Sequence, residues 1–291
     1  MKIHLLDGTY ELFRGFYGPP PRKAPDGREV GATVGLLQSL IALLNDSTVT
    51  HVGVAFDHVI ESFRNDLFSG YKTGEGIDPA LLAQFSLAEE AVRALGIVVW
   101  PMVEFEADDA IATATFRFLS DPAVEQIVIC SPDKDLAQLV SVRVICWDRR
   151  RNLYYDEAGV MEKYGVPPAS IPDWLALVGD SADGIPGIPA WGAKSAATVL
   201  SRFGTLENIP DDIEQWGIPS GRARRLAENL TAQREQAFLY RRLTTLRADV
   251  PLSENVADME WLGVIETFKP FCAELGVPDL PARVPKWHNS A

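Results

Sequence analysis

Short apolar runs of strand length alternate with longer stretches of helical periodicity in the first half of the chain. Runs of the strand type lie at 3–6, 52–56 and 127–130, and apolar positions recur every three or four residues at 32–44, 79–95 and 108–119. Strands that alternate with helices are typical of a mostly parallel sheet with helices on both faces. The pattern therefore predicts an α/β domain over residues 1–164.

The pattern changes after residue 164 to short helical segments punctuated by proline and glycine, with little strand signal. We predict a second, all-α domain over residues 165–291. Within the first domain, residues 18–31 and 64–78 show little apolar periodicity. Unstructured stretches of that length inside a compact domain are usually functional or mobile.

Aspartates follow the predicted strands at the point where each strand ends. Asp7 and Asp57 come directly after the first two strands, and Asp133 and Asp135 follow the third. Residues just past the carboxyl ends of parallel strands line one shared crevice, which is where such folds bind ligands. The sequence therefore predicts that these carboxylates converge.

Three further carboxylates stand in the four positions Glu106-Ala107-Asp108-Asp109, where a predicted helix begins. Glu106 and Asp109 are three residues apart and share one face of that helix, while Asp108 lies about 100° to one side. An acidic first turn that favours the helix dipole is the alternative explanation of this run alone. Together with the acids that leave the strands, it indicates a site for a divalent cation with oxygen ligands.

A second constellation joins two acids to a glycine-rich hairpin. Asp180 and Asp183 precede the run Gly184-Ile185-Pro186-Gly187-Ile188-Pro189, and a helix is predicted to open near Ala193. The free backbone N–H groups at a helix start attract phosphate, and Lys194 adds a positive charge there. A helix-turn-helix without a ligand is the alternative. The acids followed by the hairpin are more specific than either feature alone.

The net charge of −13 argues against a phosphate-rich partner until the charges are located. Without the nine acids of the predicted site, 31 acids face 27 basic residues. Between residues 220 and 247 there are seven arginines and two acids, so a basic surface is expected in the second domain.

At 291 residues and 47% hydrophobic, the chain is large enough to bury a sizeable core. Its three cysteines have no metal-site spacing and are expected to be buried, reduced thiols. The sequence has no apolar run of about 18 residues and no signal-peptide pattern, so we expect a cytoplasmic protein without a membrane partner.

Seven short motifs lie within residues 2–250: Leu6-Asp7-Gly8, Phe56-Asp57, Phe63-Arg64, Tyr71-Lys72, Glu106-Ala107-Asp108-Asp109, Asp133-Lys134-Asp135-Leu136-Ala137-Gln138-Leu139 and Gly179-Asp180-Ser181-Ala182-Asp183. In these motifs the chain resembles the 5′ nucleases, a family that includes bacterial flap endonucleases and the 5′ to 3′ exonuclease domain of bacterial DNA polymerase I. The resemblance implies a PIN-like domain with a helical arch around residues 63–90, and a helix-three-turn-helix domain that grips duplex DNA.

The resemblance also implies a reaction and its ligands. The expected activity is metal-dependent 5′ to 3′ exonuclease and 5′-flap endonuclease cleavage of DNA, in replication and repair. Two Mg²⁺ ions, with Mn²⁺ as an alternative, would lie about 4 Å apart and serve one phosphodiester. The expected metal ligands are Asp7, Asp57, Glu106, Asp108 and Asp109 for one ion, and Asp133, Asp135, Asp180 and Asp183 for the other. K⁺ is expected in the hairpin of the second domain.

Further residues receive roles from the same resemblance. Lys72, Arg64 and Arg14 are expected to act on the phosphate, with solvated surface charges as the alternative for Lys72 and Arg64. Tyr71 is expected either to stack on a base or to pack against the arch. The expected contacts to the duplex backbone are Gly187, Gly192, Lys194, Arg222, Arg224 and Arg225.

Three positions depart from the family pattern: Glu75 replaces an arginine of the arch, Pro132 replaces a glycine, and Ala190-Trp191 replaces Gly-Val in the hairpin. Ala190 would have to accept the backbone angles that the glycine served. These departures leave open a non-catalytic protein that binds branched DNA, and the fold leaves open a PIN-type ribonuclease. The expected partners are DNA with a free 5′ end, flap or nick and a separate DNA polymerase, and a monomer is expected.

Overall fold

The computed structural model describes residues 1–288, and residues 289–291, the end of the predicted second domain, lie outside the described part. Its strands are β1 (Lys2–Asp7), β2 (His51–Asp57), β3 (Val98–Met102), β4 (Gln126–Cys130), β5 (Val144–Asp148) and β6 (Leu153–Tyr155). Its α-helices are α1 (Gly8–Tyr17), α2 (Gly31–Leu44), α3 (Phe63–Leu67), α4 (Pro79–Leu82), α5 (Phe85–Ala94), α6 (Ala107–Leu119), α7 (Glu157–Tyr164), α8 (Ile171–Val178), α9 (Ala193–Phe203), α10 (Ser220–Ala232), α11 (Arg234–Thr244) and α12 (Phe268–Glu274).

These elements form two compact units that share the chain in alternation. Unit 1 contains residues 1–60, 74–131 and 248–288 of the described chain, and unit 2 contains residues 61–73 and 132–247. The segment expected to form the arch, 63–90, contributes α3 to unit 2 and α4 and part of α5 to unit 1.

Unit 1 is built on four parallel strands in the order β3-β2-β1-β4. Each connection between consecutive strands brings the chain back to the edge of the sheet where the previous strand began, as parallel pairing requires. The prediction of a mostly parallel sheet is confirmed. In the β1–β2 register Asp7 pairs with Ala55, which places Asp7 and Asp57 at the same edge of the sheet.

The core of unit 1 is formed by strands that are apolar along their length, as expected of strands covered by helices. Ile3 and Leu5 of β1 are fully buried, and α6 packs on all four strands. Helices α1, α2 and α5 pack on one another, and α1 and α5 also contact strands.

The single helix predicted over 79–95 is wrong, since α4 and α5 are separate. The buried Gln84 stands at the break. Its amide Nε2 donates to the Ala80 carbonyl at 3.0 Å, and its Oε1 accepts from the Thr33 backbone N–H at 3.1 Å. A side chain that hydrogen-bonds the backbone in this way competes with the helical hydrogen-bond ladder.

The last segment of unit 1, residues 248–288, is fastened to elements from much earlier in the chain. The Trp261 indole N–H donates to the Leu95 carbonyl at 2.8 Å, and the Trp100 indole N–H donates to Glu254 Oε2 at 2.9 Å. Val264 and Phe268 are fully buried. This segment therefore completes the core of unit 1.

Unit 2 is mainly helical. Helix α8 packs against α9 and α11, and the buried rings of Trp191 and Trp216 lie 5.6 Å apart. From residue 166 to residue 288 the described elements are helices, as predicted. None of the helices within residues 1–288 combines the length and apolar character that crossing a membrane requires.

Candidate metal and nucleic-acid site

The acids at the ends of β1 and β2 are held in place by backbone and hydroxyl donors. Asp7 Oδ1 accepts from the Tyr10 backbone N–H at 2.8 Å and so caps α1, while its Oδ2 accepts from Ser131 Oγ at 3.1 Å. Asp57 Oδ1 accepts from the Ala107 N–H at 2.7 Å, and the Asp57 N–H donates to Thr9 Oγ1 at 2.8 Å. Both carboxylates are buried. The end of β2 is thereby joined to the starts of α1 and α6.

The acidic first turn of α6 lies at the same place. Glu106 is its N-cap residue, and the Glu106 N–H donates to Asp109 Oδ2 at 3.0 Å. Asp109 is fully buried, Glu106 is 5% exposed and Asp108 is half-buried. These bonds place Asp57 beside the start of α6 and Asp109 beside Glu106. That Asp7, Asp57, Glu106, Asp108 and Asp109 share one ion stays a prediction. The capping bonds show that Asp109 also stabilises the helix start.

Unit 2 carries the second acidic set. One carboxylate oxygen from each of Asp135, Asp180 and Asp183 lies within 4.8 Å of the others. Asp133 is exposed beside them, and its Oδ1 accepts from the Asp135 N–H at 2.9 Å. Burial raises the pKa of the Asp135 carboxyl well above its usual range, and the charges of Asp133, Asp183 and Asp180 raise it further.

This arrangement fits a divalent cation. Asp135 Oδ1 is buried and accepts no hydrogen bond, so this oxygen is available as a metal ligand. The ligand atoms at this site are carboxylate oxygens, which suit Mg²⁺ and Mn²⁺ and not softer metals. A cation would stabilise the charged form of Asp135 that burial and its neighbours disfavour.

Two lysines adjoin the acidic set of unit 2. Lys134 Nζ lies 2.6 Å from Asp180 Oδ2, and Lys72 Nζ lies 3.4 Å from Asp183 Oδ1. Burial opposes the charged form of Lys134, but the hydrogen bond that its ammonium donates to Asp180 and the charges of the nearby acids outweigh this effect and raise the pKa of Lys134. Lys134 therefore remains positively charged near neutral pH.

Close backbone packing places Lys72 at this position. The Lys72 N–H donates to the Asp183 carbonyl at 3.0 Å. Gly184 adopts a φ of +72°, and a Cβ there would lie 2.1 Å from the Gly70 carbonyl oxygen. Only glycine meets both conditions. The segment around Lys72 is thus held on the loop that carries Asp183.

Arg64 and Tyr71, which were expected to face DNA from the arch, are both buried. Arg64 is 1% exposed; its Nε donates to the Leu243 carbonyl at 2.7 Å and its Nη2 lies 3.4 Å from the Thr245 carbonyl. Tyr71 is 4% exposed, which favours the packing alternative over base stacking. In this arrangement neither side chain presents a surface to DNA.

Arg64→Met should therefore lower stability more than it lowers catalysis. The substitution leaves buried carbonyls of unit 2 without a charged donor, and we expect the free energy of unfolding to fall by about 2 kcal/mol. Urea denaturation followed by tryptophan fluorescence measures this. Arg222→Met, at an exposed arginine, is the matched control and should change stability by less than about 0.5 kcal/mol. Wild-type stability combined with lost cleavage would return Arg64 to the catalytic role.

Arg14, on α1 of unit 1, is half-buried and held by two side chains. Its Nη2 donates to Ser39 Oγ at 2.9 Å and pairs with the buried Glu11 carboxylate. Ser39 Oγ also donates to Glu11 Oε2 at 2.8 Å. The Arg14 Nε atom is buried without a hydrogen-bond partner. The guanidinium is therefore oriented by its neighbours, and one donor remains unused.

The expected duplex contacts fall on two elements of unit 2. Gly187 lies in the hairpin, where its Cβ would clash with the backbone of Val178 and Gly179, while a Cβ at Gly192 would meet open space. Lys194 lies at the start of α9 and is exposed. Arg222, Arg224 and Arg225 are exposed on α10, whose Ala223 and Leu226 are buried. The structure therefore leaves these four cations accessible.

Ala190 adopts a φ of +69°, which confirms that it accepts the backbone angles of a glycine. The hairpin around it is tied to α10, since the Trp191 indole N–H donates to the Leu226 carbonyl at 3.1 Å and Asn229 Nδ2 donates to the Pro189 carbonyl at 2.7 Å. These bonds hold the alanine in a conformation that L-residues disfavour.

Ala190→Gly should accordingly raise the free energy of unfolding by about 0.5 to 1 kcal/mol, because glycine adopts this conformation without strain. Chemical denaturation of the two proteins checks the difference. Ala227→Gly, in the middle of α10, is the control and should lower stability by about 1 kcal/mol. A loss of stability in Ala190→Gly would mean that the alanine methyl contributes more than the strain costs.

Matches to known families decide the identity of the chain. Residues 2–165 match the model described as 5′-3′ exonuclease, N-terminal resolvase-like domain. Residues 166–266 match the model described as 5′-3′ exonuclease, C-terminal SAM fold. The chain belongs to the 5′-3′ exonuclease family.

Relatives in this 5′-3′ exonuclease family are of two lengths. The chain is 35% identical over 262 residues to a 5′-3′ exonuclease of Buchnera aphidicola subsp. Baizongia pistaciae, covering 89% of this chain and 85% of the relative. It is 37% identical over 259 residues to DNA polymerase I of Rhizobium leguminosarum, covering 86% of this chain. The chain spans only 25% of that polymerase and 30% of the Bacillus caldotenax enzyme.

Solved structures share the fold of this exonuclease-family chain at low sequence identity. A flap endonuclease of bacteriophage T5, in complex with DNA and metal ions, has a TM-score of 0.68 and 19% identity over 84% of this chain and 89% of its own. The catalytic core of Rad2 with a DNA substrate has a TM-score of 0.59 and 16% identity over 97% of this chain and 89% of its own. These similarities establish the fold.

Sequence reasoning assigned no role to several residues at the sites of this exonuclease-family chain. Lys134 stands inside a motif that was recognised for its acids, and its spacing between Asp133 and Asp135 was the available signal. Glu11 and Ser39, which hold Arg14, are 28 residues apart and only the fold brings them together.

Proposed function

We propose that this chain is a divalent-metal-dependent nuclease that hydrolyses DNA phosphodiester bonds as a 5′ to 3′ exonuclease and 5′-flap endonuclease. The observation that carries the proposal is the set Asp135, Asp180 and Asp183, whose carboxylate oxygens approach within 4.8 Å. Three buried or half-buried acids so close together repel one another unless a cation balances them. The names of the Buchnera exonuclease and the T5 flap endonuclease support the reaction.

The residues that would hold metal fall into two sets, one in each unit. The set of unit 1 is Asp7, Asp57, Glu106, Asp108 and Asp109, and the set of unit 2 is Asp133, Asp135, Asp180 and Asp183. When bound, two such ions lower the pKa of water and neutralise charge that develops on the attacking and leaving oxygens of a phosphodiester. Mg²⁺ is the ion we propose, with Mn²⁺ as a substitute.

The protein's own cations are proposed to act on substrate phosphate within each unit. Lys72, beside Asp183, would donate to a non-bridging phosphate oxygen, and Lys134 would keep Asp180 oriented toward its ligand position. Arg14, whose guanidinium is oriented by Glu11 and Ser39, is proposed to act on a phosphate through its charge, as the family resemblance implies. These groups are preorganised, so little reorganisation accompanies the reaction.

Substrate grip would come from sequence-independent contacts. Lys194, Arg222, Arg224 and Arg225 would bind duplex phosphates, and the hairpin backbone at Gly187 and Gly192 would approach the sugar-phosphate chain. The K⁺ expected in the hairpin stays a prediction; the Ile188 and Pro189 carbonyl oxygens there already accept hydrogen bonds.

The domain organisation, cellular location and partner of the chain are part of the same proposal. We propose residues 1–164 as the catalytic domain and residues 165–291 as the duplex-binding domain with a C-terminal tail, of which residues 248–288 pack in unit 1. The proposed protein is a cytoplasmic monomer whose work is linked to that of a DNA polymerase.

Product mapping on a 5′-labelled flap duplex tests the function. With Mg²⁺ we expect cuts at the junction and short products from the 5′ end of a nicked duplex, and none with EDTA. A matched RNA flap and a duplex without free 5′ ends serve as controls. Tight binding without any product in Mg²⁺ or Mn²⁺ would favour the non-catalytic alternative. Preferential cleavage of the RNA would favour the ribonuclease.

A further inference from the structure

The turn between β5 and β6 in unit 2 carries a concentration of positive charge. Arg149, Arg150 and Arg151 are consecutive, and within residues 147–154 they face one acid, Asp148. Asp148 is buried, while Arg150 and Arg151 are exposed. This local excess of two positive charges stands out in a chain of net charge −13.

Two aromatic rings are stacked directly beside this turn. Trp147 and Tyr154 are register partners of the antiparallel β5–β6 pair. Their ring centroids lie 5.1 Å apart with an interplanar angle of 10°, and the Arg149 guanidinium carbon lies 5.8 Å from the Trp147 ring centroid. Tyr154 is 54% exposed and Leu153 is 46% exposed. The hairpin therefore presents an aromatic layer next to exposed guanidinium groups.

The turn is held by its own polar groups. Asp148 Oδ1 accepts from the Arg151 backbone N–H at 3.1 Å, and the Trp147 indole N–H donates to Asn152 Oδ1 at 3.2 Å. Asn152 adopts a φ of +53°, which asparagine tolerates better than most residues. The surface is thus ordered before any ligand binds, which lowers the entropic cost of binding.

A cross-strand aromatic pair with a solubilising turn is the competing explanation, since such pairs stabilise hairpins. A cross-strand aromatic pair stabilises a hairpin equally well when its rings are buried, whereas Tyr154 keeps more than half of its surface exposed. The turn geometry uses Asn152 and Asp148, and Arg151 Nη1 lies 3.8 Å from Asp148 Oδ2, but the turn makes no demand for an arginine at position 150. Exposed aromatic rings interleaved with arginines are typical of surfaces that bind single-stranded nucleic acid.

We infer that the β5–β6 hairpin binds a single-stranded DNA segment, with an unpaired base stacked against the Trp147–Tyr154 layer and phosphates paired with Arg150 and Arg151. The inference rests on the proposed function for the identity of the nucleic acid. The contact uses none of the residues assigned to metal binding and none of the α9 and α10 cations, so it would add grip on the unpaired part of a substrate. It reads no sequence, because every base offers a stacking face.

Fluorescence anisotropy with a labelled oligothymidine of about 12 nucleotides, in EDTA to prevent cleavage, tests the contact. Tyr154→Ala should weaken binding about tenfold, and Tyr154→Phe, which keeps the ring, should restore it. Arg150→Ala with Arg151→Ala should reduce the slope of log affinity against log salt by about 1.4, the value for two phosphate contacts on a single strand. Phe116→Ala, at another exposed aromatic residue, should bind as the wild type does.

The outcomes separate this inference from the proposed function. If the wild type cleaves flap DNA but the hairpin variants bind oligothymidine unchanged, the inference is wrong and the function stands. If no variant or wild-type protein cleaves DNA yet hairpin substitutions weaken binding, the contact stands without the nuclease. Displacement by polyglutamate as readily as by unlabelled oligothymidine would also overturn it, since that polyanion has no bases to stack.

Discussion

Asp180→Asn is expected to reduce DNA hydrolysis about a thousandfold, since the metal site of unit 2 would lose a charged ligand and several kcal/mol of transition-state stabilisation. Asp180 Oδ1 accepts from the Ala182 N–H at 3.0 Å and its Oδ2 lies 2.6 Å from Lys134 Nζ. Asparagine keeps the size and the turn bond but removes the charge that a cation needs. Single-turnover cleavage of a 5′-flap duplex at fixed Mg²⁺ measures the loss.

Three comparisons make this result specific. Asp211→Asn, at an exposed aspartate of the same unit, should cleave at the wild-type rate. Affinity of Asp180→Asn for the flap duplex in EDTA should be at least that of the wild type, because a negative charge is removed. Raising Mg²⁺ should recover part of the rate. A variant that cleaves normally at low Mg²⁺ would remove Asp180 from the metal site.

Lys72→Met is expected to lower the cleavage rate about a hundredfold with a small effect on duplex binding. The Lys72 ammonium lies 3.4 Å from Asp183 Oδ1 and is only 25% exposed, so its charge is little screened by solvent. Loss of one preorganised donor to a developing negative charge costs a factor of about 100 to 1,000. Single-turnover rates at saturating enzyme isolate the chemical step from binding.

Two further variants, Lys72→Arg and Lys269→Met, serve as controls for this prediction. Arginine keeps the charge and should retain most of the rate that methionine loses. Lys269 is exposed on α12, and its removal should leave the rate unchanged. If Lys72→Met raised only the KM and left the maximal rate intact, Lys72 would be a substrate-binding residue and not part of the chemistry.

The hydrophobic pattern was sufficient to predict the parallel sheet, because β1, β2 and β4 are short apolar runs that end at acids. It did not indicate β3, whose Pro101 interrupts the strand signal, or the hairpin of β5 and β6, where polar and apolar residues are mixed. The break between α4 and α5 depends on where the Gln84 side chain finds partners, and Thr33 lies 51 residues away. Such tertiary contacts are not encoded in local periodicity.

For the candidate site, spacing and residue type predicted that Asp135, Asp180 and Asp183 lie together but did not predict the burial of Arg64. Arg64 and Lys72 both read as charges on a mobile segment, yet only Lys72 adjoins acids, while the Arg64 guanidinium is enclosed by backbone carbonyls. Whether an arginine side chain ends in solvent or on a distant carbonyl is decided by the fold. The backbone conformation of Ala190 could be predicted, because an alanine that replaces a glycine of the family pattern has to adopt that glycine's backbone angles.

The two units are formed by alternating segments of the chain, and this alternation affects how the protein folds during its synthesis. Unit 1 receives its final segment from residues 248–288, and unit 2 joins residues 61–73 to a stretch that begins at residue 132. Contacts across such long intervals slow the folding reaction. A fragment released after residue 165 would leave the Leu95 carbonyl without its Trp261 donor and the pocket of Val264 and Phe268 empty. Early translation products should therefore expose part of the unit 1 core until residue 268 has emerged.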